Sequence, residues 1–312
     1  MEIAALVSGG VDSSVVVHQL KEAGYDPTIF YIRIGMEDKD GYIDCPAEED
    51  IEITSYIARK YGCRMEVVSL HDEYWDKVVS YTIDSVKRGL TPNPDMMCNK
   101  FIKFGCFEEK WGKDFDKIAT GHYARIEREN GRYLLKKALD ASKDQSYVLY
   151  MLTQEQLAHT QFPLGALRKA ETRQLADSLG FFNARKPDSQ DICFVPDGDY
   201  AAFIRRHTGK ADTPGNFVDE SGRILGRHKG IAHYTIGQRK GLGVPSNHPL
   251  YVKAIDPAHN QVVLSENDAL FSQQLTGENF NWIAWEAPPR QFRCSARIRY
   301  RQTEQPCEVT VE

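Results

Sequence analysis

The chain has 312 residues, with 39 Lys and Arg against 44 Asp and Glu and a formal net charge of −5. At 41% hydrophobic and 27% charged residues it has the composition of a folded water-soluble protein, and no apolar run approaches the length of a membrane span, which sets aside the disordered and membrane-spanning classes. Net negative charge gives no general affinity for nucleic acid, so any such binding has to come from local basic patches. Seven cysteines, an odd number with no two closely spaced, argue against a zinc framework or disulfide scaffold and for a reducing, cytoplasmic setting. The chain enters an apolar run at Ile3, which leaves no room for a signal peptide.

In chain order, Ile3 to Val7 reads as a buried strand and Val15 onward as a helix stopped at Gly24. Ser8-Gly9-Gly10-Val11-Asp12-Ser13-Ser14 lies between them, on a strand-to-helix turn. Thr28 to Ile34 reads as a second strand. Pro46 to Tyr61 reads as a helix with proline in its first turn, Glu48, Glu49 and Asp50 near its positive end, and Gly62 after it. Met65, Val67 and Val68 mark a third strand. Glu73 to Arg88 is a helix packed by Trp75, Val79, Ile83 and Val86, and Asn99 to Trp111 is another. Lys117 to Thr120 is a fourth strand, ending at Gly121-His122. This alternation predicts an α/β fold with a doubly wound parallel sheet, and ligands at the carboxyl strand ends, where Ser8, Ile34 and Gly121 fall.

From about residue 205 glycine and proline become frequent and short strand-like pieces appear at Gly230 to Tyr234, Tyr251 to Ile255 and Gln261 to Leu264. Arg293 to Val311 alternates apolar and polar residues. These stretches read as small β-rich domains. The predicted organisation is a catalytic domain over 1–204, a central β-rich domain over 205–272 and a C-terminal β domain over 273–312.

Three segments carry candidate chemistry. In Ser8 to Ser14, a helix N-terminus offers unpaired N–H groups to anionic oxygens, Gly9 and Gly10 let phosphate come close, three serines add hydroxyls, and Asp12 is a candidate Mg²⁺ ligand. The Walker lysine is missing, and S-G-G-x-D-S resembles the PP-loop signature of ATP pyrophosphatases instead. In Thr91 to Lys100, two prolines stiffen a loop that leads to Cys98 near a predicted helix start, where the dipole and Lys100 and Lys103 favour thiolate; Asp95 is a candidate acid/base partner. Cys193, in Arg185 to Phe194, again sits in a polar loop among basic residues, where by itself it also fits a packing role. Cys63, Cys106, Cys294 and Cys307 read as packing residues, and Cys45 stays open. Ser221 to Ile255 has no Asp or Glu but six basic residues, including Arg239 and Lys240 in a glycine-flanked loop. Arg297, Arg299 and Arg301 alternate with Ile298 and Tyr300, which predicts a strand with one basic face.

Seven motifs in order make the chain resemble the tRNA-specific 2-thiouridylase family (MnmA/TrmU type): SGGVDSS at Ser8, TPNPDMMCNKFIKF at Thr91, ATGHYAR at Ala119, KDQSYVLY at Lys143, DSQDICF at Asp188, HYTIGQRKGLG at His233 and RIRYRQ at Arg297. The resemblance implies that Leu6, Val7, Ser8, Gly9, Gly10, Val11, Asp12 and Ser13 bind ATP, with Ile32 and Gly121 lining the pocket. It implies contacts to the target base from Asn93, Pro94 and Asp95, a nucleophile at Cys98, a persulfide carried on Cys193, and tRNA contacts from His122, Lys143, Asp144, Gln145, Arg299 and Tyr300. It further implies ATP and Mg²⁺, the anticodon arm of tRNA with its wobble uridine, a cysteine desulfurase or sulfur-relay protein as donor, and a reductant to reset a Cys98–Cys193 disulfide. Family members continue past the RYRQ segment through further strands, so the last domain, ending at Glu312, reads as an incomplete barrel. Two other readings remain: a different PP-loop ligase acting on a small molecule, and a tRNA-binding scaffold without catalysis.

Overall fold

The structure, a computed structural model, describes residues 1–35, 47–188, 195, 199–209, 211–299 and 302–312. Cys45, Cys193, Tyr300 and Arg301 lie outside the described residues. Strands β1 (Ile3–Leu6), β2 (Thr28–Arg33), β3 (Met65–Ser69) and β4 (Lys117–Ala119) form the predicted parallel sheet. β5 (Ala124–Glu129) and β6 (Arg132–Lys137) form a separate antiparallel hairpin, turned at Asn130 and Gly131, both with positive φ. A two-residue β7 (Thr160–Gln161) completes the sheet in the order β3-β2-β1-β4-β7. β1 therefore has β2 on one side and β4 on the other, and the connection changes direction between β1 and β4. That switch leaves a crevice at the carboxyl ends of these two strands.

Both faces of the sheet are covered, as the strand period requires. Along β1, Ile3 and Ala5 join the apolar layer that holds Val15 and Val16 of helix α1 (Val11–Glu22) and Ile57 of helix α2 (Ala47–Tyr61). Ala4 and Leu6 join the opposite layer, with Phe30, Val78 and Val79 of helix 71–87 and Ile102, Phe104 and Phe107 of helix 94–110. Helix 71–87 contains a π segment, Trp75–Val79, and helix 94–110 a longer one, Cys98–Cys106. Among the described residues no helix is long and apolar enough to cross a membrane.

The chain after residue 205 departs from expectation in two places. β8 (Gly215–Val218), β9 (Ile224–His228), β10 (Tyr251–Asp256) and β11 (Gln261–Ser265) form one sheet around Phe217, Val252, Val262 and Leu264. Gly230 to Tyr234 is not a strand. Gly230 has φ of 144°, which only glycine adopts readily, and the turn Ile231–His233 delivers Tyr234 into the core against Phe217 and His228. Nor is Arg293 to Val311 continuous. β12 (Gln291–Ala296) and β13 (Gln305–Thr310) pair antiparallel, and the chain leaves the ladder at Arg297. The Arg297 guanidinium donates to the buried Asp144 carboxylate at 3.3 Å, and Arg299 donates to the Ile236 carbonyl at 2.7 Å. These two arginines thus tie the C-terminal hairpin to two other parts of the molecule instead of sharing a strand face.

Phe30 sits at the centre of one layer, 2% exposed, with Phe107 and Phe115 meeting it edge-on at 5.0 and 5.5 Å. Phe30→Ala should cost about 3–5 kcal/mol, read as a lowered urea midpoint at unchanged slope.

Candidate functional site

The Ser8 to Ser14 turn is held from several sides. Gly9 has φ of 73°, and a Cβ there would lie 2.7 Å from the Asp50 Cα, so glycine is required both for conformation and for space. Ser13 Oγ donates to the Gly10 carbonyl at 3.0 Å and accepts from Ser8 N at 3.2 Å. Asn183 Nδ2 donates to Gly9 O and Ser14 Oγ, each at 3.0 Å. Gly10 caps α1 with extended backbone and no side-chain hydrogen bond, which leaves the first-turn N–H groups to an incoming anion. Gly121, just past β4, backs onto the same turn, since its Cβ would lie 3.1 Å from Ser13 N and 3.3 Å from the Asp12 carbonyl carbon. Leu6, Val7 and Val11 are buried beneath, and Ile32 is half-buried at the end of β2. The predicted nucleotide residues are therefore gathered at the β1–β4 switch and the adjoining end of β2.

Sequence reasoning missed the charge network beside this turn. Lys169 Nζ lies 2.7 Å from both Asp12 oxygens and 2.8 Å from Asp188 Oδ1. Tyr123 OH donates to Asp12 at 2.9 Å, and burial, reinforced by the Asp12 charge, pushes its pKa upward. Asp188 also accepts from Lys143 at 2.9 Å and Arg173 at 2.6 Å. Partial burial would raise the Asp188 pKa, but the hydrogen bonds from Lys143 and Lys169 outweigh it and bring it to about 2. Asp12, the candidate Mg²⁺ ligand, is held by the Lys169 ammonium and the Tyr123 phenol, and among the described residues no group of three or more His, Cys, Asp or Glu is placed to hold a metal ion. Residues 157 apart in sequence meet in this pair, so no local pattern announces it. Lys169→Met leaves two carboxylates facing each other. We expect a loss of about 3–5 kcal/mol at neutral pH, shrinking towards pH of about 4 as protonation relieves the repulsion, measured by urea denaturation across pH.

The thiol helix begins earlier than predicted. Asn93 Oδ1 accepts from Met96 N at 3.2 Å and Pro94 occupies the first helical position, so the helix opens there and Cys98 lies about one turn inside it. The helix dipole acts on Cys98 more weakly than at a true N-terminus. Asp95 is three residues before Cys98 and shares its helix side. Its carboxylate is open to water, yet enough protein surrounds it that lost hydration raises its pKa, against the pull of Lys103. Cys98 is half-buried against the Phe30 layer. Cys106 is buried, and burial pushes its thiol pKa up, which fits packing. A cavity of about 480 Å³ opens between the stretches 89–92 and 231–235; Pro92 lines it, whereas Asn93, Pro94, Asp95 and Cys98 do not.

The residues that the resemblance assigned to tRNA are mostly engaged within the protein. His122 is 7% exposed, in contact with Phe104 and Phe162, and its Nδ1 pairs with Thr120 Oγ1 at 2.7 Å. Asp144 accepts from Ala138 N and from Ser146 as well as Arg297. Gln145 clasps Tyr123 through Oε1 and its own N–H. Of the basic residues in Ser221 to Ile255, Arg223 and Lys253 are paired with Asp219 and Glu220, just outside that stretch, whereas Arg227, Lys229, Arg239 and Lys240 are exposed. Burial holds the His122 pKa well below the ordinary histidine value, so the folded state binds fewer protons there than the unfolded chain. Its stabilising share is complete above pH of about 6.5 and declines by up to about 1.4 kcal/mol per pH unit below it. His122→Phe should flatten the stability–pH slope between pH of about 5 and 6.5, and an unchanged slope would contradict this.

Comparisons with known proteins agree across the chain. Family models described as tRNA methyl transferase HUP domain, tRNA methyl transferase PRC-barrel domain and aminomethyltransferase beta-barrel domain match residues 1–197, 201–266 and 272–312. A curated relative from Parabacteroides distasonis, named tRNA-specific 2-thiouridylase MnmA, is 59% identical over 305 residues, covering 96% of this chain and 84% of its own. One of the same name from Porphyromonas gingivalis is 55% identical, covering 92% and 80%. A MnmA 1 from Bacteroides thetaiotaomicron is 47% identical, covering 96% and 85%. The chain belongs to the tRNA-specific 2-thiouridylase family.

Proposed function

We propose that this protein is an ATP-dependent tRNA sulfurtransferase that replaces the C2 oxygen of the wobble uridine with sulfur. The observation that carries the reading is the 59% identity, over 96% of the chain, to a relative named for that activity. The gathered Ser8 to Ser13 turn and the Asp95–Cys98 helix side are consistent with it.

The C2 carbonyl of uracil is a weak electrophile with a poor leaving group. Its oxygen attacks the α-phosphorus of ATP and expels pyrophosphate, whose oxygens the N–H groups and serines of Ser8 to Ser13 are suited to receive. The terminal sulfur of a Cys193 persulfide then attacks C2 and expels AMP. Cys98 thiolate attacks the Cys193 sulfur, frees the 2-thio group, and leaves a Cys98–Cys193 disulfide. In the alternative order Cys98 first releases hydrosulfide, which attacks C2; both orders end at the same disulfide. A reductant supplies two electrons and two protons to reset it. Asp95, with its raised pKa, is the candidate proton carrier. Asn93 and Pro94 would border the extruded base. Mg²⁺ would enter with the triphosphate and screen its charge, with Asp12 as its candidate ligand from this chain. The sulfur donor would be a cysteine desulfurase or its relay protein.

The family models carry the word methyl transferase, which favours a second reading, methylation of tRNA. Cys98→Ser and Cys193→Ser decide between them. Each should abolish transfer of labelled sulfur to tRNA while ATP binding persists. Full activity in either variant removes that cysteine from the mechanism, and a methyl group on the tRNA product instead of sulfur overturns the reading.

A further inference from the structure

Cys294 and Cys307 are direct cross-strand partners in the β12–β13 ladder, with their sulfurs 3.5 Å apart. Directly paired strand residues keep their Cα atoms about 4.5–5.5 Å apart, within the span that a disulfide bridges. Closing the sulfurs to a bond of about 2.05 Å asks for side-chain rotation only. Cys294 is exposed and Cys307 half-buried, so a small reagent reaches the pair from solvent. The connection between β12 and β13 carries Arg297, Arg299 and Glu304, which contact Asp144, the Ile236 carbonyl and Lys137.

We propose that Cys294 and Cys307 are a redox modification site, which a low-molecular-weight disulfide converts reversibly into a cross-strand disulfide. The Cys294 thiolate attacks the reagent's S–S bond, releasing one reagent thiol and forming a mixed disulfide. The Cys307 thiolate then attacks the Cys294 sulfur and releases the second thiol. The two cysteines lose two electrons and two protons; the reagent gains both. The bond closes the base of the segment that carries Arg297, Arg299 and Glu304 and limits its excursions from the other parts of the molecule. Neither cysteine takes part in the sulfur transfer proposed above.

The test uses the full chain, reduced and then equilibrated with oxidised glutathione, alkylated, digested without reduction and analysed by mass spectrometry. A peptide linking Cys294 to Cys307 is expected, with both sulfurs protected from alkylation. In Cys294→Ser, Cys307 should hold glutathione or remain a thiol and form no internal link. Hydrogen exchange across β12 and β13 should slow on the order of tenfold or more on oxidation and recover on reduction. Alkylation of both cysteines after equilibration, or separate glutathione adducts on each, would overturn the proposal. So would a linked peptide with no change in exchange, for the part that concerns the anchoring of Arg297 and Arg299.

Discussion

A buried ammonium has to be neutralised where it sits, and Lys169 is neutralised by two carboxylates at once. Asp12 belongs to the first turn of α1, and Asp188 follows the helix that Lys169 opens. In surroundings of low dielectric these attractions are stronger than at a surface, and each partner is costly to leave alone. Lys169, together with the Asn183 amide on Gly9 and Ser14, therefore ties the glycine-serine turn to the segment that leads towards Cys193. The Ser8 to Ser14 turn has no basic residue of its own, and Lys169 brings positive charge to it from another part of the chain.

A second set of internal bonds engages the residues of the KDQS segment. Asp144 organises Ala138, Ser146 and Arg297, and Gln145 holds Tyr123, which in turn reaches Asp12. These side chains shape the surface and keep the C-terminal hairpin against the catalytic sheet. Arg227, Lys229, Arg239 and Lys240, by contrast, are exposed.

The parallel sheet and the glycine-serine turn were legible in the sequence because both are local: apolar runs of strand length, then a motif at one strand's end. The helix start at Pro94 was misread. Two prolines look like loop stiffeners, yet Asn93-Pro94 is also a cap followed by a first helical residue, and only the second role orders the chain here. The Arg297 to Arg301 alternation imitates a strand, but a buried carboxylate far away in sequence draws Arg297 off the ladder. Lys169 was invisible for the same reason, since its meaning lies in partners that only the fold brings near.

The wide-turn segment Cys98–Cys106 has a consequence for the thiol's bearing. A π turn holds more residues than the α turn it replaces, so across the nine-residue segment Cys98–Cys106 the two halves of helix 94–110 leave α-helical phase with one another. Ile102, Phe104 and Phe107 anchor the far half in the core, while Asp95 and Cys98 belong to the near half. A change in the length of the segment would alter the phase between the two halves and with it the direction of the Cys98 sulfur. An insertion or deletion here therefore changes where the thiol points before it changes what the core holds.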